Sequence, residues 1–158
     1  MRRPLTLLLG FGAALVCSQA VRVQRINPPV RGDLTAPPPI QEVLREACYD
    51  CHSNQTRWPW YSALAPFSWL IQHDVVAGRR RLNFSDWTDY ASDPETAAQK
   101  LREVAKSVAD GNMAPRYYQA LHPRGRLTDE ERGLIARWAA DEARRVSSRQ
   151  SGTREGSR

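Results

Sequence analysis

The stretch ACYDCHSNQTRWPWYS, residues 47–62, brings Cys48, Cys51 and His52 within five positions. Side chains three apart on a helix share a face, so the two sulfurs point one way and the imidazole follows at once. Three chemistries use parts of this set. A disulfide between Cys48 and Cys51 suits an oxidising compartment but leaves His52 without a task. A structural zinc ion wants four ligands, commonly from a second Cys or His pair at short spacing. The chain has three histidines, and His73 and His122 stand apart from each other and from His52. A c-type haem uses every member in the order C-x-x-C-H, with thioethers to two vinyl groups and the histidine as proximal iron ligand. The haem reading predicts one covalently bound haem c.

Iron held by His52 has a sixth position to fill. Of the two methionines in the chain, one is Met1 and the other is Met113, within VADGNMAPRYYQALHP. Met113 follows a glycine-containing turn and precedes Pro115, which puts its thioether on a loop rather than inside a helix. That is how an axial ligand is presented. A core-filling methionine is the ordinary alternative, and His122 and His73 are the candidates for bis-histidine ligation. The cofactor-binding set is therefore Cys48, Cys51, His52 and Met113, with His52 and Met113 on the metal. No second constellation suggests catalysis.

Large rings follow the motif closely. Trp58, Trp60, Tyr61 and Trp69 are expected to bury in part against the porphyrin, with their N–H and O–H groups on partners that include propionates. An ordinary aromatic core is the other use for them. Arg79, Arg80 and Arg81 either pair with propionates or form a solvated cluster.

Helices must position these groups. Ile40, Val43, Leu44 and Ala47 fall at helical spacing, so Cys48 arrives on or just after an amphipathic turn. APFSWLIQHDVVAG reads as a helix opening at Pro66 and ending at Gly78, with Phe67, Leu70, Ile71, Val75 and Val76 as its buried stripe. Asp93 caps and Pro94 opens a third, whose inner stripe is Ala97, Leu101, Val104, Ala105 and Val108, ending at Gly111. Thr128 and Glu131 form a capping box for a last helix facing inward through Leu134, Ile135 and Trp138. That face is expected to pack across the helix leading into Cys48.

The 158 residues carry a net charge of +6, and its placement excludes one class of partner. Arg2 and Arg3 begin the chain; Arg144, Arg145, Arg149, Arg154 and Arg158 end it against Glu155. Residues 21–143 hold 16 basic and 16 acidic side chains, so the body is neutral and offers no phosphate-binding face for nucleic acid. The apolar run LTLLLGFGAALV after the two arginines reads as an export signal, with SQA giving a cleavage site after Ala20. The same run is marginally long enough to stay as a membrane anchor. Cys17 lacks the flanking residues of a lipobox. The organisation read from this is signal or anchor at 1–26, a proline-rich spacer at 27–39, the haem-binding domain at 40–145 and a disordered basic tail at 146–158. The domain is placed outside the cytoplasm, tethered to the inner membrane or released as a soluble form.

CYDCHSNQTRWPWYSALAPFSWLIQHDVVAGRRRLNFSDW resembles the bacterial haem-binding domain family of cytochrome c type, in which C-x-x-C-H-S-N runs into W-P-W-Y, A-P-x-S-W, D-V, G-R and L-N-x-S-x-W. GNMAPRYYQALHPRGRLTDEERGLIARW is similar to its second half. The resemblance spans roughly residues 27–140. It implies an all-α, small class I cytochrome c-like domain around one haem, with Cys48 and Cys51 as thioether sites, His52 as proximal ligand and Met113 as distal ligand. The family places proline directly after the methionine, whereas Ala114 intervenes here before Pro115. The expected function is electron transfer to redox partner proteins, without enzymatic activity. A haem-based sensor or peroxidase-like protein with a labile distal ligand is the second reading, and an interaction module with a structural cofactor the third.

Overall fold

The computed structural model describes residues 3–155. The described chain is all-α, and its extended pairing amounts to an isolated bridge between Gly32 and Asp86. α1 (Arg3–Ser18) is the apolar N-terminal run, and α2 (Pro38–Ala47) leads through Cys48 into the single turn α3 (Tyr49–His52). α4 (Phe67–Arg81), α5 (Trp87–Ala91), α6 (Pro94–Ala109), α7 (Arg116–Leu121) and α8 (Asp129–Glu155) follow.

α6 and α8 form the main helix pair. Their close approach follows from small residues at the contact: Ala98 and Ala139 are fully buried beside Leu101 and Ile135. α2 adds Ile40, Leu44 and Ala47 to the same core. The expected packing of the last helix is met in part, since α8 lies chiefly along α6 and crosses α2 with a smaller contact. Both predicted caps form. Asp93 accepts from the N–H groups of Glu95 and Thr96, while Thr128 and Glu131 bond reciprocally at 2.8 and 3.1 Å. Gly111 takes φ 70° to end α6, the left-handed conformation glycine supplies without strain.

Gly78 does not end α4. The helix continues to Arg81, with Leu82 as its C-cap. Nor is the α4 stripe uniformly buried: Val75 is, whereas Phe67, Leu70 and Val76 are exposed. Hydrophobic spacing located the helix but could not say how wide a face its neighbours cover.

The proline-rich segment, expected as a spacer, lies along the domain. The N–H groups of Arg31 and Gly32 donate to the Ser85 carbonyl at 3.0 and 3.1 Å, and that of Leu34 to Phe84 at 2.9 Å. Leu34 is in the core. At the other end, the expected disordered tail is helical as far as Glu155, and residues 156–158 lie outside the described part. Arg144–Asp141 and Arg145–Glu142 pairs and the packing of Val146 on the core carry the helix past the domain's edge.

Candidate haem site

Cys48, Cys51 and His52, together with the sequence-distant Met113, line one cavity of about 240 Å³. Its apolar wall comes from Leu82 and Phe84 on one side and Val104 and Val108 of α6 on the other. α2 and α3 deliver the two cysteines and the histidine; the turn after α6 delivers Met113.

His52 is oriented by the residues after α4. Its Nδ1 lies 3.1 Å from the Leu82 carbonyl. A carbonyl can only accept, so Nδ1 carries the proton and Nε2 keeps its lone pair. The His52 carbonyl accepts from Phe84 N–H at 2.8 Å, and the Phe84 ring meets the imidazole edge-on at 6.4 Å. Burial holds the imidazole pKa below the ordinary histidine value, against the raising effect of the Leu82 and Gly78 carbonyls. The ring is neutral near pH 7, the form that binds a metal.

Burial also pushes the Cys48 and Cys51 thiols up to about 12, with Asp74 and Asp50 adding to the effect at Cys51. The cysteines are not joined to each other. Among the described residues, no cluster of three or more His, Cys, Asp or Glu side chains is arranged to hold a metal ion.

The other histidines lie outside this cavity, although His122 lines a smaller one that Cys51 also borders. His122 has both nitrogens engaged: Nδ1 donates to the Tyr118 carbonyl at 3.0 Å and Nε2 accepts from the Tyr61 hydroxyl at 3.1 Å. His73 is exposed and sits beside Asp74. Neither lines the cavity with Cys48 and Cys51.

The aromatic residues depart furthest from expectation. Trp60 is exposed, Trp69 is 38% exposed, and Trp58 donates to Asn27; none of the four predicted rings lines this cavity, though Tyr61 lines a smaller one that Cys51 also borders. Aromatic content alone does not say which surface the rings cover. Of the three arginines, Arg81 lines the cavity, while Arg79 bonds Ser53, Ile26, Asn27 and Thr56. Arg79 is thus a brace between the N-terminal strap and the loop after His52.

The sequence pattern of the Haem-binding domain family matches residues 13–141. The chain belongs to that family. Cytochrome c peroxidase Ccp of Escherichia coli (strain K12) is 28% identical to the domain over 99 residues, covering 61% of this chain and 21% of that protein. The chain therefore spans about a fifth of that relative's length. No solved structure matches it significantly.

The cavity fits haem on its own terms. A porphyrin needs apolar walls, iron takes imidazole and thioether donors, and both are present with two thiols beside them. Sequence reasoning noticed several residues of this haem-binding domain without finding their roles. Gly78 is one: a Cβ there would lie 2.5 Å from the Cys51 carbonyl oxygen, so its absence lets α4 run against α3. The L-N-F-S run is another. Asn83 Nδ2 donates to Asn54 Oδ1 at 2.8 Å, and Ser85 Oγ accepts from Asn54 N–H at 3.1 Å. The S-N after the histidine and the L-N-x-S thirty residues on are thus two halves of one lock on His52, a signal visible in the sequence without its pairing.

Proposed function

We propose that this domain is a c-type cytochrome module that carries electrons outside the cytoplasm. Cys48 and Cys51 would hold one haem covalently, and His52 and Met113 would serve its iron as ligands. The observation that carries this reading is His52: its Nδ1 is fixed on Leu82, which leaves the Nε2 lone pair on a ring that shares a cavity with both thiols and the Met113 thioether.

The residues have separable tasks. Cys48 and Cys51 would supply the thiols for two thioether links, each an addition of S–H across a vinyl group that needs no oxidant. His52 supplies the proximal nitrogen and Met113 the distal sulfur, a pair that raises the reduction potential relative to two histidines. Arg81 supplies a cation for a propionate. Bound haem supplies a reversible one-electron couple. With His52 and Met113 both engaged, the domain would pass electrons to redox partner proteins rather than act as an enzyme.

The name of the relative favours a second reading. A peroxidase-like or sensing role requires Met113 to leave the iron. Carbon monoxide added to the reduced protein separates the two, since a rapid spectral change means an open or labile sixth position.

The attachment itself is tested by denaturing protein expressed with haem-maturation machinery and extracting it with acid–acetone. Colour and the added mass of one haem should stay with the polypeptide. Colourless protein of unmodified mass overturns the proposal.

A further inference from the structure

A second apolar surface lies away from Met113 and Phe84; two of its members, Phe67 and Leu70, also border a small cavity with Cys51, Tyr61 and His122. Trp60 is 78% exposed, Phe67 51%, Leu64 46% and Leu70 45%. Trp60 meets Tyr61 edge-on at 5.6 Å, Tyr61 meets Phe67 at 6.3 Å, and Phe67 and Leu70 lie one turn apart on α4. Trp60, Phe67 and Leu70, linked through Tyr61, and Leu64 nearby in the chain are more apolar surface than a monomer in water ordinarily presents.

α1 meets the domain at this surface. Gln19, just past its end, clamps Ala65: the Ala65 N–H donates to Oε1 at 3.0 Å, and Nε2 donates to the Ala65 carbonyl at 3.2 Å. Trp69 Nε1 donates to the Val21 carbonyl at 3.2 Å. Ala65 lies between Leu64 and Phe67, so the apolar helix and the apolar face are joined by a two-bond clasp. Arg22 and Arg25 line an adjoining cavity of about 300 Å³ with Ser62 and Ser68.

Length decides what the clasp does. Among the described residues no helix is long and apolar enough to cross a membrane. At about 1.5 Å per residue, the 16 residues of α1 extend about 24 Å, short of a hydrocarbon core of about 30 Å. A short apolar helix that enters lipid draws its flanking residues into the interface. Here the flank is the clasped domain. Trp60 suits the interfacial zone by its amphipathic ring, and the two arginines suit anionic headgroups.

We propose that the face made by Trp60, Leu64, Phe67 and Leu70 lies in the headgroup region of the bilayer that takes α1, with Arg22 and Arg25 on its anionic phosphates. Residues 1–20 then stay with the mature protein, because cleavage after Ala20 would remove Gln19 and its clasp. The proposal rests on the export reading only for which membrane surface the domain meets; it does not rest on the haem.

The test uses full-length haem-loaded protein in vesicles of phosphatidylcholine with phosphatidylglycerol. On a Cys17→Ser background, spin labels are placed at Leu70→Cys or, as control, at Arg80→Cys near the other end of α4. Flotation reports anchoring, and the ratio of accessibility to oxygen over a water-soluble nickel chelate reports depth. The expected result is co-flotation with a ratio several-fold higher at 70 than at 80, falling to the control value when Phe67→Glu is added while flotation persists. Equal ratios at the two sites overturn docking of the face, as does a ratio at 70 that Phe67→Glu leaves unchanged. Full-length protein that fails to float overturns α1 as an anchor and the docking with it, and an N-terminal mass that begins at Val21 in protein purified from cells overturns retention of residues 1–20. The absorbance of the same samples reports the haem separately, so a failed face and a failed haem assignment are told apart.

Discussion

Asp50 and Tyr118 tie the two halves of the site together. Asp50 stands between the two cysteines on α3, and its Oδ2 accepts the Tyr118 hydroxyl at 2.8 Å. Tyr118 lies on α7, which starts three residues after Met113. The other Asp50 oxygen takes Arg57 N–H at 3.0 Å and Nε at 3.3 Å, so the carboxylate cannot swing away to compensate for a lost partner. Burial and the neighbouring Asp50 raise the Tyr118 pKa and keep it a donor. The segment that carries Met113 is thereby anchored to the segment that carries the thiols.

Tyr118→Phe should keep haem attached while loosening Met113. Leaving a largely buried carboxylate oxygen unpaired costs about 1–3 kcal/mol. Denaturant titration should show that loss, and the methionine-to-ferric-iron charge-transfer band should weaken. An undiminished band would separate the hydrogen bond from ligation.

Met113→Ala should abolish that band and make the reduced protein bind carbon monoxide rapidly. Haem content should not change, because both thioethers and His52 remain. Spectra identical to the parent would remove Met113 from the iron. His122 is not expected to replace it, since Tyr61 and the Tyr118 carbonyl occupy its nitrogens.

Gly78→Ala sets two effects against each other. Alanine in a helix interior gains up to about 1 kcal/mol over glycine. The new methyl would meet the Cys51 carbonyl at 2.5 Å and its carbon at 3.0 Å, both backbone atoms that cannot step aside. Overpacking of this kind costs about 1–3 kcal/mol, so the variant should melt lower than the parent. A higher melting temperature would mean that α3 and α4 do not meet there.

The haem-free folded protein should show unequal thiols. Thiolate is the reactive form, and burial holds Cys48 and Cys51 up to about 12, so both stay protonated at neutral pH. Iodoacetamide should label the exposed Cys17 first, with the rate at the other two still climbing as pH approaches 12. Unfolding should erase the difference. Mass spectrometry of timed digests reads each site.

Sequence reasoning reached the site further than its surroundings. Cys48, Cys51 and His52 are local, so their spacing carries their geometry, and Met113 was marked by scarcity and by the turn around it. The caps at Asp93 and Thr128 were legible for the same reason, each being a bond between residues two or three apart. Gly78 was misread because a glycine that ends a helix and one that admits a neighbouring backbone look alike until the neighbour is placed. The tryptophans were misplaced because size argues for burial without naming what does the burying. Leu82 could not be found at all, since its contribution is a carbonyl that every residue has.

The strap at residues 27–36 has a practical consequence. It closes over the very loop that steadies His52, through Leu34 on Phe84 and through Arg31 and Gly32 on Ser85. A polypeptide trimmed to begin at Ile40, although it would keep the whole C-x-x-C-H signature, would lose the outer hoop around its imidazole. Such a truncation would remain able to take the prosthetic group yet hold the metal with a swivelling ring. The least domain-like stretch of the sequence is therefore part of what keeps His52 in place.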